Sequence, residues 1–402
     1  MSFLNRTGVA LFICHLKKLE GGEQMDTANL KEELIAFSRL IGIDKIGFTT
    51  PDPFTEMKQR LIRQQELGYQ SGFEEKDIDK RVTPALIFDK PQSIIAIALA
   101  YPSKLKNPPK GKKGERRGIF CRASWGEDYH TILREKLAQL EAFLRKKVEG
   151  ARCKSMVDTG ELVDRAVAER AGIGWSGKNC AIITPEYGSY VYLGEMITNI
   201  PFEPDTPMED QCGSCRKCLD VCPTGALVAG GQINAKRCIS FLTQTKGYLE
   251  DEFKVKIGNR VYGCDSCQTI CPKNKGMDFH FHDEMEPEPE VAKPKLEPIL
   301  SLSNREFKEI FGHVSGSWRG KKPIQRNAII ALAHFKEESA VPVLIRILHE
   351  DPRPVIRGTV GWALGKIGGG DAKNALLAAQ DREKDPEALK EIKKGLDFFE
   401  MT

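Results

Sequence analysis

One stretch, Cys212-Gly-Ser-Cys-Arg-Lys-Cys-Leu-Asp-Val-Cys-Pro223, constrains this chain more than any other. Its thiols are spaced C-x2-C-x2-C-x3-C-P, and Cys238, Cys264, Cys267 and Cys271-Pro272 follow downstream, so that eight of the 12 cysteines fall in one insert. The longest early apolar run, residues 8–14, is too short to span a bilayer. It is followed by His15 and Lys17-Lys18 and lacks a small-residue cleavage site, so a cytoplasmic location with no membrane partner is expected. In a compartment that keeps thiols reduced, cysteines at these spacings are expected to bind metal rather than to pair as disulfides.

Eight thiolates suffice for two zinc ions, but zinc sites come as paired C-x2-C knuckles separated by a longer loop. Three closely spaced cysteines and then C-P is the pattern of bacterial two-cluster ferredoxins, in which the fourth cysteine crosses to the other cluster. Iron-sulfur is therefore expected over zinc. By the crossing rule one 4Fe-4S cluster takes Cys212, Cys215, Cys218 and Cys271, and the other takes Cys222, Cys238, Cys264 and Cys267, with Cys238 reaching in from afar. Such clusters pass single electrons and need a terminus. No G-x-G-x-x-G signals a flavin or nicotinamide, and Gly368-Gly-Gly370 has no preceding strand.

The fold class read from the chain is α+β and multidomain. Apolar periodicity predicts a helix over residues 30–40, a strand over 45–49, a buried strand over 93–100 and a helix over 129–148. Residues 180–184 and 189–193 read as a hairpin about Glu186-Tyr-Gly188. The Pro, Glu and Lys alternation near 286–298 reads as a linker. Beyond it, Ala331-Leu332 and Ala363-Leu364, Ala340 and Ala372, and Leu344 and Leu376 coincide at an offset of 32 residues, the mark of HEAT-like helix pairs. The expected divisions are a dispensable extension or start-site artefact over 1–25, an α/β or α+β catalytic domain over 26–205, a two-cluster ferredoxin-like module over 206–284, a linker over 285–300 and helical repeats over 301–402. A net charge of only +4 means that a nucleic acid would have to be met by a local basic surface.

Several further stretches combine: Val157-Asp-Thr-Gly160, Ala171-Gly-Ile-Gly-Trp-Ser-Gly-Lys-Asn179, Gly188-Ser-Tyr-Val-Tyr-Leu-Gly-Glu195, Cys238-Ile-Ser-Phe-Leu-Thr243 and Cys264-Asp-Ser-Cys-Gln-Thr-Ile-Cys-Pro272. In order and spacing they resemble the epoxyqueuosine reductases, cobalamin-dependent iron-sulfur enzymes of tRNA queuosine synthesis. The resemblance runs from about residue 30 to the repeats. It implies a cobalamin-binding α/β domain related to reductive dehalogenases, a two-cluster module and helical repeats that help to hold tRNA. The implied substrate is epoxyqueuosine at the wobble position of tRNA with a GUN-type anticodon, reduced to an alkene and water by two electrons and two protons. An unidentified low-potential electron donor and a monomeric state are expected. A cobalamin reductive dehalogenase and a ferredoxin-type electron carrier are the rival readings.

The resemblance also assigns residues. Asp158 is the expected proton donor, on the argument that burial beside the corrin raises its pKa toward neutrality. Arg81, Cys121, Lys178 on the 172–179 loop, Ser240, Gly247 and Asp265 are expected around cobalamin. Glu161 and Asp164-Arg165 depart from the common pattern and are expected to tune the pocket wall. Asp128-Tyr-His130 lacks the glycine of a D-x-H-x-x-G motif, so no protein ligand to cobalt is expected. Lys110, Lys112, Lys113, Arg116 and Arg117, with Arg319, Lys321, Lys322 and Arg326, are the expected tRNA-binding charges, and Trp125, Tyr129 and Trp318 the candidate stacking rings. Cys14, Cys153 and Cys180 are expected to pack only.

Overall fold

The computed structural model describes residues 26–400, and the expected extension and Cys14 lie outside the described residues. The first half is built on a four-stranded sheet in the order Lys45–Thr49, Ser93–Ala100, Val191–Thr198 and Cys153–Met156. Every pairing in it is antiparallel, which decides between α/β and α+β in favour of α+β.

The apolar run Ser93–Ala100 is buried at every position because both faces of the sheet are covered. Side chains alternate along a strand. Ile95, Ile97 and Leu99 therefore enter one layer with Leu133, Leu137, Leu140 and Leu144 of the helix Tyr129–Lys147. Ile94, Ala96 and Ala98 enter the other with Ala166 and Val167 of the helix Asp164–Arg170. Asp128 caps the long helix by accepting the His130 N–H at 3.0 Å, which fixes His130 at its first turn.

The expected hairpin about residues 186–188 shrinks to a single bridge between Thr184 and Gly188. Ile182–Ile183 pairs instead with Trp175–Ser176, while Val191–Thr198 joins the main sheet, so its two arms serve different sheets. The expected linker is also a packed element. Its segments Pro289–Ala292 and Leu296–Ser301 are helical, and Val291, Ala292, Leu296, Ile299 and Leu300 are buried. Charge alternation on its outer face hid the apolar residues that turn inward.

Five helices form the C-terminal unit: Lys321–His334, Val341–Glu350, Pro354–Ile367, Gly370–Gln380 and Pro386–Glu400. The third and fifth approach so closely that a Cβ on Gly365 would lie 2.1 Å from the Gly395 carbonyl oxygen. One apolar core joins these helices to the cysteine-rich module, running from Ile239, Leu242, Phe253 and Val261 to Ile324, Ala328 and Leu364. The Lys254 ammonium, buried in that interface, is paired with the buried Glu391 carboxylate of the last helix.

Arg326, expected to meet tRNA, is buried in this junction at 1% exposure. Its guanidinium donates to the carbonyls of Leu242 (2.8 Å), Thr245 (2.8 Å) and Gly247 (2.6 Å). Asn327 beside it donates to the carbonyls of Thr243 and Val261, both at 2.8 Å. Replacing Arg326 by Met keeps the stem and strips the donors, leaving buried carbonyls that each cost about 1–3 kcal/mol when unpaired. Denaturant titration of Arg326→Met is expected to reveal a loss of several kcal/mol, with Lys322→Met as the near-neutral comparison.

Candidate functional site

All eleven described cysteines are free thiols. Eight of them fall into two groups by their mutual electrostatics, since a thiolate raises the pKa of each thiol near it. Burial, followed by Cys212 and Cys271, raises Cys218. Burial, and to a lesser degree Cys212 and Cys215, raises Cys271. Burial, then Cys264 and Cys222, pushes Cys238 up to about 11. Burial, then Cys264 and Cys238, raises Cys267, which also feels Cys218 and Cys222. Cys267 and Cys218 lie where the two groups meet. Among the described residues no three His, Cys, Asp or Glu side chains are drawn tightly enough around one point to hold a single metal ion.

Backbone N–H groups are aimed at these sulfurs. Burial raises Cys222, but the N–H groups of Leu227, Thr224 and Ala226 outweigh it and hold the thiol below its ordinary range. Phe241 and Ser240 supply two more at Cys238. Such donors stabilise thiolate charge and tune an iron-sulfur potential.

Cys121 adjoins the second group. It ends the short strand Ile119–Phe120, which runs parallel to Arg260–Tyr262, and its N–H donates to the Tyr262 carbonyl at 2.9 Å. Gly263, at φ +71, follows; a Cβ there would lie 2.2 Å from the Cys121 sulfur, so only glycine allows the approach. Burial first, then Asp265 and Cys264, keeps Cys121 a neutral thiol. Asp265 is itself tied to Arg122, accepting its N–H at 3.1 Å and its guanidinium at 3.0 Å.

Asp158 lies in the loop after the strand Cys153–Met156, at φ +52, a left-handed conformation that Asp adopts more readily than most residues. Burial beside the corrin was expected of it; within the protein alone its side chain is 62% exposed. Its neighbours matter instead. His130 places Nδ1 2.7 Å from Asp128 Oδ1 and Nε2 3.4 Å from Asp158 Oδ2. Burial works against the imidazolium, yet the two carboxylates outweigh it and lift His130 to about 9. Tyr129 stacks on His130 at 4.2 Å and on Tyr192 at 4.5 Å, and burial, then the Asp158 charge, keeps its hydroxyl protonated. Burial first, then the charges of Cys121 and Asp158, raises the Tyr262 hydroxyl, which links the acid loop to the thiol side of the site.

The other expected contacts are dispersed. Arg81 faces Glu74, Arg165 and Asp164 near the acid loop. Lys178 turns to the cysteine loop, donating to the carbonyls of Gly213 (2.5 Å) and Cys215 (3.0 Å). Ser240 and Gly247 belong to the segment anchored by Arg326 and Asn327. On the 172–179 loop, Trp175 Nε1 and Asn179 Nδ2 are buried donors without a partner in the protein, which fits a loop facing a bound group rich in oxygen acceptors. Glu161 pairs with Lys154 at 2.7 Å and Asp164 accepts the Asp158 N–H at 3.0 Å, so these two positions hold the acid loop rather than merely form a wall. Sequence reasoning passed over His130 as a proton-bearing group and over Glu195; the only signal for the latter was one carboxylate inside an apolar strand.

Among the expected tRNA contacts, Arg116 is bound to the buried Glu337 at 2.6 Å, Arg117 to Glu290 at 2.8 Å, and Lys321 to the Leu302 carbonyl at 2.9 Å. Lys110 and Lys112 stay exposed, and Lys113, also exposed, pairs with Glu338 at 3.2 Å. Trp125 is buried, whereas Trp318 is 52% exposed beside Phe73, 44% exposed, with the Arg319 guanidinium 4.8 Å and 5.2 Å from their rings.

Comparison with known proteins gives three family matches. "Epoxyqueuosine reductase QueG, DUF1730" covers residues 81–159, "4Fe-4S double cluster binding domain" covers 211–274, and "HEAT repeats" covers 320–396. The epoxyqueuosine reductase of Bacillus subtilis is 69% identical over 378 residues, 94% of this chain and 98% of that protein. The chain belongs to the epoxyqueuosine reductase family. An epoxyqueuosine reductase solved with an epoxyqueuosine-modified tRNA-Tyr stem loop superposes with a TM-score of 0.92 at 68% identity, covering 93% of this chain and 100% of that one. A structure of the Bacillus subtilis epoxyqueuosine reductase, described as having its aspartate catalytic loop swung out of the active site, superposes at 0.91 with 68% identity, over 93% and 100% of the two chains. As a member of the epoxyqueuosine reductases, this chain is an oxidoreductase with a double 4Fe-4S module and HEAT repeats. Neither the dehalogenase nor the free electron carrier is retained as a reading.

Proposed function

We propose that this chain reduces the epoxide of epoxyqueuosine at the wobble position of tRNA to the alkene of queuosine, consuming two electrons and two protons and releasing water. The observation that carries the proposal is the meeting of an exposed acid loop, Asp158 with His130 and Tyr129, with a thiol-lined module that ends at Cys121. The eight thiols hold two 4Fe-4S clusters, and the unpartnered donors of the 172–179 loop suit the amide-rich corrin of cobalamin. When bound, the clusters and cobalamin together supply stepwise low-potential electrons at the reacting carbon-oxygen bond.

The chain itself supplies protons and position. The His130 imidazolium holds a proton 3.4 Å from Asp158, and Asp158 relays it to the leaving oxygen as charge develops there. Asp128 orients the imidazole from the other side. Trp318, Phe73 and Arg319 form an exposed stacking surface for an unstacked anticodon base, and the exposed lysines 110, 112 and 113 hold phosphate without reading sequence. Aromatic stacking suits a single-stranded loop because its bases are already turned outward at small cost.

Anaerobic reconstitution with iron, sulfide and cobalamin, followed by mass spectrometry of nucleosides from epoxide-bearing tRNA, is expected to yield queuosine. Protein that retains no corrinoid overturns the reading. A pH series tests the relay. The two carboxylates push His130 up to about 9 from its ordinary 6.5, so its ion pairs with Asp128 and Asp158 persist through neutral pH and are lost as pH rises through about 9. Turnover is expected to fall along that alkaline limb, with Arg134 the nearby cation that also acts on Asp128. His130→Gln is expected to have low turnover without that limb.

A further inference from the structure

Behind the acid loop stands a second carboxyl group that the proposed reaction does not use. Glu195 lies on the central strand, opposite Met156 and Ala96 in register, and is 1% exposed. Gly194 before it faces Leu133 and Leu137, so the Glu195 side chain turns to the other layer, where the helix Asp164–Arg170 begins. There it faces Asp164, the first residue of that helix, whose carboxylate raises Glu195 after burial does. Asp164 in turn accepts the Asp158 backbone N–H at 3.0 Å.

We propose that Glu195 and Asp164 form a carboxyl pair sharing one proton, and that this pair is the positioning element for Asp158. Two carboxylates cannot hydrogen-bond to each other unless one of them carries a proton, and a charge on the fully buried Glu195 has no water to stabilise it. Burial first, then the Asp164 and Asp158 charges, pushes Glu195 well above the carboxylate range, and burial with Asp158 lifts Asp164 to about 6. The cations facing Asp164 are Arg165 and Arg81, so the ionised member of the pair is the one that lies nearer positive charge. Ionised Asp164 is the stronger acceptor for the Asp158 N–H, and that bond holds the left-handed turn on which the direction of the Asp158 side chain depends. Glu195 Oε1 is buried without a hydrogen-bond partner in the protein.

The inference rests on Asp158 being the acid of the proposed reaction, and its test has two readouts that do not. Infrared difference spectra of parent minus Glu195→Gln at neutral pH are expected to contain the carbonyl stretch of a protonated carboxylic acid. Hydrogen exchange of the peptide spanning residues 157–163 is expected to stay slow in Glu195→Gln, whose amide still donates to Asp164, and to accelerate in Glu195→Leu. With reconstituted enzyme, Glu195→Gln keeps parent turnover, while Glu195→Leu loses about a hundredfold in kcat at unchanged KM for the tRNA hairpin, the scale on which a misplacement of about 1 Å acts. Should Glu195→Leu fail to fold, Asp164→Ala carries the same expectation, because it removes the acceptor from a half-buried helix start. Absence of the carboxylic acid band, or parent-like exchange in Glu195→Leu or Asp164→Ala, overturns the pair. Parent turnover in Asp158→Asn would instead overturn the reading of Asp158 and leave the band and the exchange standing.

Discussion

Asp158→Asn is expected to lower kcat by about 10²–10⁴-fold, the range over which a positioned proton donor acts. The substitution separates chemistry from structure unusually well at this position. Asn tolerates the left-handed φ of +52 and keeps the backbone N–H that Asp164 accepts, so the loop stays in place. The transferable proton is removed together with the charge that pairs with His130. Iron content, corrinoid retention and affinity for the tRNA hairpin are expected to match the parent, and single-turnover kinetics with prereduced enzyme isolate the affected step. Parent-like turnover would pass the donor role to Tyr129, whose hydroxyl stays protonated beside Asp158.

Cys267→Ser is expected to abolish electron delivery. Cys267 is set among Cys264, Cys238, Cys218 and Cys222, and its group is the one that adjoins Cys121 through Cys264. Loss of one thiolate there is expected to cost one of the two clusters and to break the single-electron path that needs both. Iron and sulfide analysis is expected to fall to about half of the parent value, since each 4Fe-4S cluster needs its four thiolates. Cys153→Ser, on the sheet beside Thr198, is expected to keep all of it. Full iron content in Cys267→Ser would remove Cys267 from the ligand set.

The contrast between these two sites explains which of them is legible in the linear sequence. Cysteine ligands are dictated locally: C-x2-C-x2-C-x3-C-P brings successive thiols to one side of a tight turn, and the short helices Lys217–Val221 and Ser266–Thr269 form where that spacing puts them. The buried strand Ser93–Ala100 and the helix Tyr129–Lys147 are equally plain, because their periods follow from backbone geometry alone. Asp158 is legible only through resemblance, since an Asp before Thr-Gly reads as a turn residue like any other.

Burial and pairing of charge were decided elsewhere. Arg326 and Arg116 carry the same side chain as a nucleic-acid contact, and only the packing of distant segments consigned one to the Leu242–Gly247 carbonyls and the other to Glu337. The residues 285–300 became a packed element because the cysteine-rich module and the helical repeats share one core across them. Glu195 met Asp164 for the same reason: strand register and helix docking, not spacing along the chain, brought two carboxyls together. Local spacing thus determined which thiols are the candidate metal ligands, while tertiary packing determined which charges are buried and which are paired, because desolvation and electrostatic pairing depend on neighbours that the linear order does not bring close.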